Sequence, residues 1–527
     1  MDILDFLEEI PAIILVTGKI RCMQGTAEID RQMLDAQLFC RGLVGEGTIY
    51  AFLADHRNEL FRDEDFADLF PSGRGRPSIS AVLICSVMVL QALEGLSDRD
   101  AIRQLRTRID WKVACGLALD DEGFDFTNLT YWRTRLRKSD RPNRIFDAVR
   151  EVVAATGVLG GKRRRALDST ILDDAVATQD TVTQLISAIR KVRRVVPEAG
   201  AVPLSTATDE GAKPVIEWSD RVARDALITG LVNDAEAVLA TAQHSASSEV
   251  AGEAIGLLAL VSGQDVEPGE EPGTWKIARK VAKDRVISTV DVEARHGHKS
   301  TAVRKDGFKA HLGVEPDTGI ITAVKVTPAN APDGPVGVEL MAGEEDGLEV
   351  LADSAYGSGT TRAQLHERHH RLVIKPLPSR PKFTGAFMRD DFVVEHAART
   401  VTCPAGHLAH LSKGGIATFA PHCGSCPLKA RCTKAKTRSF SVTENDDELV
   451  DARRAWRDDE LRATYRLHRP MAERSISWLV AKNNRRLRYR GVERNEAWLH
   501  RRAAALNLRK LVVLGLTFDG GWRLAPT

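Results

Sequence analysis

The chain has 527 residues, 43% of them hydrophobic and 28% charged, with a net charge of +2. At about 150 residues per domain that leaves room for three or four domains and a sizeable core, and the composition excludes a chain-wide disordered or collagen-like protein. The longest early apolar run, Ile10 to Val16, is far short of the ~20 residues that span a bilayer. The acidic opening with Asp2, Asp5, Glu8 and Glu9 argues against a secretory signal, so a cytoplasmic protein is expected.

In chain order, residues 1–22 are acidic and apolar, and Pro11 and Gly18 interrupt any long helix. They read as an extension outside the fold, with Met23 as the functional start, or as an added helix packed through Ile3, Phe6, Leu7 and Ile10. Residues 23–160 read as a helical domain. Ser78–Leu93 is a strongly apolar helix stopped near Gly95, Ser97 caps a helix over Asp98–Arg108, and Asn128–Lys138 is basic. Short helices with a basic last member suit a DNA-binding domain, as they suit many small bundles. The lead-in Ser72–Pro77 is either a phosphate or minor-groove contact or a plain linker.

The texture changes at Lys162–Arg165, which opens a region over residues 161–379. A strand is predicted at Ala166–Leu172, then a helical insertion over about 174–262. Strands follow at Arg285–Val290, Gly307–Val314 and Ile320–Val326, the last two joined by the turn Pro316–Gly319. Next come Leu348–Ala352, a helix over Thr360–His369 and the strand Leu372–Lys375. Residues 380–445 are turn-rich and cysteine-bearing, and 446–527 return to helix. This order predicts an α/β chain whose mixed sheet is flanked by helices.

Asp168 and Asp353 each close a short apolar run, where α/β sheets place their sites. Two adjacent carboxylates repel unless a cation compensates, and oxygen-only ligands suit Mg²⁺ or Mn²⁺. Asp173, Asp174, Asp291 and Asp306 are rivals for the same role. Glu473 stands four residues after Arg469, on one face of a predicted helix beside Ile476, Leu479 and Val480. Cys403, Cys423, Cys426 and Cys432 lie within 30 residues, with a Cys-x2-Cys pair. They predict one closed, structural zinc site in a zinc-ribbon-like insertion, with His407, His410 or His422 able to replace one thiolate. Residues 451–510 hold 17 basic and 7 acidic side chains, whereas residues 1–70 hold 6 and 14. Within that basic block Lys482, Arg485, Arg486, Arg488 and Arg490, together with Arg469, are expected to contact DNA phosphates. His296, His298 and Lys299 either line the site or form a turn.

Leu167-Asp-Ser-Thr170, Asp353-Ser-Ala-Tyr-Gly357 and Arg469-x-x-x-Glu473, in this order, resemble the DDE transposases of bacterial insertion sequences. Leu172–Leu185, Asp291–Lys299 and Asn484–Gly491 extend the resemblance over about residues 23–515, within the branch carrying a cysteine-bearing insertion before the glutamate helix. That branch has a tyrosine three residues before the arginine and a lysine seven after the glutamate; here those positions are Arg466 and Val480, with Tyr465 and Lys482 close by. The resemblance implies a ribonuclease-H-like core, an N-terminal helical DNA-binding domain, and Asp168, Asp353 and Glu473 as ligands of two Mg²⁺ or Mn²⁺ ions. It further implies binding of terminal inverted repeats in double-stranded DNA, hydrolytic end cleavage and transfer of the 3′-hydroxyl into target DNA. Pairing of two ends implies a homodimer or larger assembly. An inactive, DNA-binding derivative and a nuclease without strand transfer are the alternatives.

Overall fold

The computed structural model describes residues 34–72, 75–206, 214–242, 248–280, 282–298 and 304–525. The expectations for residues 1–22, for residues 73–74 of the basic lead-in and for Lys299 fall outside them, as does the side chain of His298. The chain divides into two compact units. One holds the described residues up to Gln91, Leu96–Val152 and the stretch from Val512; the other holds Ala92–Gly95 and Val153–Leu511.

The first unit is helical: α1 (Ala36–Cys40), α2 (Ile49–Leu60), α3 (Ala81–Glu94), α4 (Asp98–Thr107), α5 (Ile109–Cys115), α6 (Thr127–Lys138) and α7 (Arg144–Thr156). A hairpin of Leu516–Phe518 and Trp522–Leu524, not foreseen from sequence, belongs to it. Ser97 caps α4 as expected, its hydroxyl accepting from the Asp100 amide at 3.1 Å. Helix α3 begins a turn later than the apolar run, because Asp63 accepts from the Ala81 amide at 2.9 Å and from the Ser80 hydroxyl at 3.1 Å. The basic helix α6 spends charge internally. Arg133 is buried and donates to Asp98 at 2.9 Å, and Arg135 lies 4.8 Å from the Phe70 ring centre and 4.7 Å from that of Tyr131. No single described helix is long and apolar enough to cross a membrane; α3 and α4 reach the length only together, across a bend of 109°.

The second unit opens with β1 (Arg164–Asp173). The helical insertion follows as α8 (Thr181–Val195), α9 (Pro197–Gly200), α10 (Arg221–Ala242) and α11 (Glu249–Gln264), ending in the short pair β2 (Val266–Pro268) and β3 (Trp275–Ile277). It has its own core, including Leu185, Ile189, Leu231, Val238, Leu258 and Val261. Then come β4 (Arg295–His298), β5 (Arg304–Val314), β6 (Ile321–Pro328), α12 (Asp333–Met341), β7 (Glu349–Ala352), α13 (Gly359–Glu367) and β8 (Arg371–Ile374). The six-stranded sheet runs β4-β5-β1-β7-β8, with β6 also on β5. β1 is antiparallel to β5 and parallel to β7, and β7 is parallel to β8.

Two expectations are corrected here. Arg285–Val290 is not a strand: glutamine side chains, rather than a neighbouring strand, satisfy its backbone. Gln264 Oε1 accepts from the Val286 amide at 3.0 Å and Gln179 Oε1 from the Thr289 amide at 2.8 Å. Asp168 does not end its strand. β1 continues five residues further because β5 pairs with it from Ala166 to Asp173.

The cysteine-bearing insertion is a small β-rich body: β9 (Val393–Glu395), β10 (Thr400–Thr402) and β11 (Leu408–His410) form one sheet. β12 (Ile416–Thr418) pairs with β13 (Ser439–Ser441) across the single turns α14 (Ala420–Cys423) and α15 (Lys429–Cys432). Phe392, Val401, Phe419 and Phe440 form its core. Three helices finish the unit: α16 (Asp446–Ala455), α17 (Asp459–Val480) and α18 (Val492–Val513).

Candidate active site

Strand register brings the two aspartates together. The parallel pairing of β1 with β7 ends at Ala166↔Leu351, so Asp168 and Asp353 each lie two residues past that pair. Neighbouring strands are ~4.8 Å apart, and alternate residues share a face. Leu167, Val350 and Ala352 enter the core with Leu340 and Met341 of α12; Asp168 and Asp353 therefore point to the opposite face. The Asp353 carboxylate also accepts from the Ala355 amide at 2.9 Å, which fixes the turn that ends β7.

That opposite face carries α17, which packs on β1, β5, β7 and β8. Its buried stripe is Leu461, Arg469, Ala472, Ser475 and Leu479. Arg469 pairs with Asp168, not with Glu473: its guanidinium meets the two carboxylate oxygens at 2.9 and 3.2 Å. Burial raises Asp168 above the usual carboxylate range, Arg469 opposes the rise, and Asp353 adds to it. Burial works against the charge of Arg469, but Asp168 holds its pKa above the ordinary value. Glu473, one turn on, is exposed at the edge of this stripe.

Tyr465, which the sequence places one residue from the family's tyrosine position, stands four residues before Arg469 and shares its surroundings. Burial raises its phenol, Arg469 lowers it, and both Asp353 and Glu473 act on it as nearby negative charges. Tyr465, Arg469 and Glu473 are spaced i, i+4, i+8, a single helix stripe. Beneath the aspartates, Asp333 of α12 accepts from Ser169 Oγ at 3.0 Å and from Lys309 Nζ at 3.1 Å. Tyr356 is buried against the same group.

The rival aspartates are engaged elsewhere. Asp173 pairs with Lys305 at 3.2 Å, and Asp306 with His296 at 2.6 Å. Asp174 and Asp291 are buried close to each other, and Asp291 accepts from the Gly491 amide at 2.9 Å. Burial first, and then Asp291, pushes Asp174 up to about 6.

The basic block divides by role. Arg485 is a clamp on β1, donating to Thr170 Oγ1 at 3.2 Å and to the Ile171 carbonyl at 3.0 Å. The backbone around it continues the sheet edge, with the Asp173 amide donating to the Arg485 carbonyl and the Leu487 amide to the Asp173 carbonyl, each at 2.9 Å. Arg488 donates to the Gly95 carbonyl. Lys482, Arg486 and Arg490 are exposed, and Lys482 sits at φ 57° in the turn after α17.

The four clustered cysteines line one small cavity together with His407, His422 and Arg438. Cys423 Sγ accepts from the Arg438 amide at 3.4 Å. Burial raises the Cys432 thiol, Arg438 lowers it, and Cys423, Cys403 and Cys426 raise it further. Among the described residues no group of three or more His, Cys, Asp or Glu side chains is arranged to hold a metal ion.

No curated protein and no solved structure matches the chain significantly. Two family models do. A transposase domain (DUF772) matches residues 40–135, and a transposase DDE domain matches residues 402–512, which include the four clustered cysteines and the helix of Glu473. Transposase domains matched on both sides of the stretch that carries Asp168 and Asp353 support reading the chain as an insertion-sequence DDE transposase.

Proposed function

We propose that this transposase binds the terminal inverted repeats of its element, hydrolyses a strand at each end and joins the freed 3′-hydroxyl to target DNA. The observation that carries the reading is the register that sets Asp168 beside Asp353 under the helix of Glu473. The strand order and the DDE domain match support a ribonuclease-H-like core. In this reading the helical N-terminal unit helps to hold the element end, and two copies pair two ends.

Asp168, Asp353 and Glu473 are an all-oxygen donor set, fitted to Mg²⁺ or Mn²⁺. Two adjacent carboxylates with only one guanidinium between them leave negative charge that a divalent cation balances. When bound, such ions would supply an activated water and would stabilise the attacking and leaving oxygens at phosphorus. The chain's own contribution is positional. Strand pairing fixes the two aspartates, and Arg469 holds Asp168 ionised and oriented. The stripe of α17 brings Glu473 and Tyr465 to the same edge. Both chemical steps are in-line displacements at phosphorus, so one site serves both without a covalent protein–DNA bond.

A structural zinc in the cysteine-bearing insertion belongs to the same proposal. The four thiols line one cavity and an amide donates to Cys423 Sγ; they are the donor types of a closed tetrahedral site, though not drawn together around one point here. Its place is to hold α14 and α15 against the small sheets.

The test is a reaction of purified chain with Mg²⁺, a duplex carrying the element's terminal sequence and a supercoiled target. Joined products linked through the 3′ end support transposition. Cleaved ends that never join would make the chain a nuclease, and intact ends that are bound but not cut would make it an inactive derivative.

A further inference from the structure

A groove of about 560 Å³ lies between α8, the loop Ile287–Val290 and the end of the basic block. Arg190, Lys191 and Arg194 of α8 and Arg490 line it, and no carboxylate does. On α8, Thr183, Ser187, Arg190 and Arg194 follow the i, i+4, i+7, i+11 rule of one helix face. The opposite face, with Leu185, Ile189 and Val192, is fixed in the core of the insertion. The floor is rigid: Ser187 Oγ and Thr289 Oγ1 are 2.8 Å apart, and Gln179 Oε1 accepts from the Thr289 hydroxyl at 2.9 Å.

Lys191, Arg194 and Arg490 repel one another along an open groove whose lining holds no carboxylate, which favours a polyanion among them. The groove's helix face runs from Thr183 to Arg194, ~16 Å at ~1.5 Å per residue, with its cations on the last turn from Arg190 to Arg194, a span of ~6 Å that matches the rise of about two base pairs. The groove is also continuous with the site strand. Arg485 clamps Thr170 and Ile171, and the backbone at Arg486 pairs with that of Asp173. Arg490 then reaches the groove. From Asp168 to Asp173 is ~17 Å at ~3.3 Å per residue.

We propose that this groove is a second DNA-contact site, in which the helical insertion holds the sugar–phosphate backbone of duplex DNA about half a helical turn or more from the cleavage site. The proposal rests on the transposase reading and adds to it a role for the insertion: Arg190, Lys191 and Arg194 fix the path of the duplex, not its sequence.

The experiment compares full-length wild type with the double variant Lys191→Gln/Arg194→Gln, both on the solvent side of α8. Binding to a duplex of about 30 base pairs, three helical turns, is titrated over a range of salt concentrations. Loss of two phosphate contacts makes the slope of log K against log[salt] shallower by about 1.8, at ~0.9 for each contact, with weaker binding at low salt. The conservative Lys191→Arg/Arg194→Lys keeps the wild-type slope. An unchanged slope in the glutamine variant, beside a salt-dependent wild type, overturns the groove and leaves the DNA reading standing. An equal loss in the conservative variant overturns the charge argument. Absence of salt-dependent duplex binding by the wild type overturns both readings.

Discussion

Replacing Arg469 with glutamine removes the one cation paired with Asp168 among the described residues and keeps a polar side chain of similar length. Both partners are buried, with side-chain exposures of 6% and 14%, and the pair is two-pronged at 2.9 and 3.2 Å. Breaking such a pair costs ~3–5 kcal/mol, because the remaining charge stays buried without a partner. Here Asp353 worsens the effect, since it already raises Asp168. The loss is bounded by protonation: Asp168 can take up a proton, at ~1.4 kcal/mol for each unit between its pKa and the working pH. Without Arg469 the folded-state pKa of Asp168 lies still higher above the unfolded value. The deficit is therefore full above that folded pKa and fades as pH falls toward the ordinary aspartate range near 3.9. Calorimetric melting of full-length Arg469→Gln from about pH 8 to about pH 5, without divalent ions, measures this directly. The double variant Asp168→Asn/Arg469→Gln should recover most of the loss, and Mg²⁺ should raise the melting temperature of the single variant more than that of wild type. A single variant within ~0.5 kcal/mol of wild type at every pH, or a double variant less stable than the single, would refute the reasoning.

Asp174 supplies a second pH signature. Its pKa is pushed up to about 6, so its contribution to stability is full below its unfolded value near 3.9 and is lost as pH rises through about 6. Asp174→Asn should flatten that part of the melting profile and raise stability at neutral pH; an unchanged profile would remove the group from the account. Arg485 and Arg486 should separate although they are neighbours. Arg485→Gln should lower stability by ~1–3 kcal/mol through its lost contacts to β1, whereas the exposed Arg486→Gln should weaken DNA binding with melting within ~0.5 kcal/mol. Metal analysis should find about one zinc per chain, and Cys426→Ser should lose it and loosen the insertion by hydrogen exchange. Metal-free protein whose four thiols all react at once, with unchanged melting, would count against zinc.

The sequence made the element order of the second unit readable because its strands are short, apolar and bounded by turns, as at Pro316–Gly319. Asp168 and Asp353 were readable as candidates for the same reason. Their adjacency was not, because it depends on the Ala166↔Leu351 register, which no local pattern encodes. Arg285–Val290 misled because a β-branched apolar run also suits a loop held by Gln179, just before α8, and by Gln264 at the end of α11. The charge of α6 misled in the same way: Asp98 and the Phe70 ring, remote in sequence, claim Arg133 and Arg135. The i, i+4, i+8 stripe of Tyr465, Arg469 and Glu473 was there to be found. Tyr465 is one residue off the family's fixed offset, and only the helix face shows that it shares the stripe. Arg469 and Glu473 stand at ion-pair spacing, yet the arginine turns to a carboxylate 301 residues away, since burial beside Asp168 is worth more than an exposed pair.

The most direct test of the account is cleavage of an end-sequence duplex in Mg²⁺ by purified Asp168→Ala, Asp353→Ala and Glu473→Ala, with duplex binding measured in parallel. Loss of a carboxylate ligand removes several kcal/mol of charge stabilisation at phosphorus, which predicts cleavage reduced by ~10³-fold or more for each variant, with binding within about threefold, a difference below ~1 kcal/mol. Cleavage near the wild-type rate by any one of the three would contradict the assignment of that residue, and by all three the location of the active site.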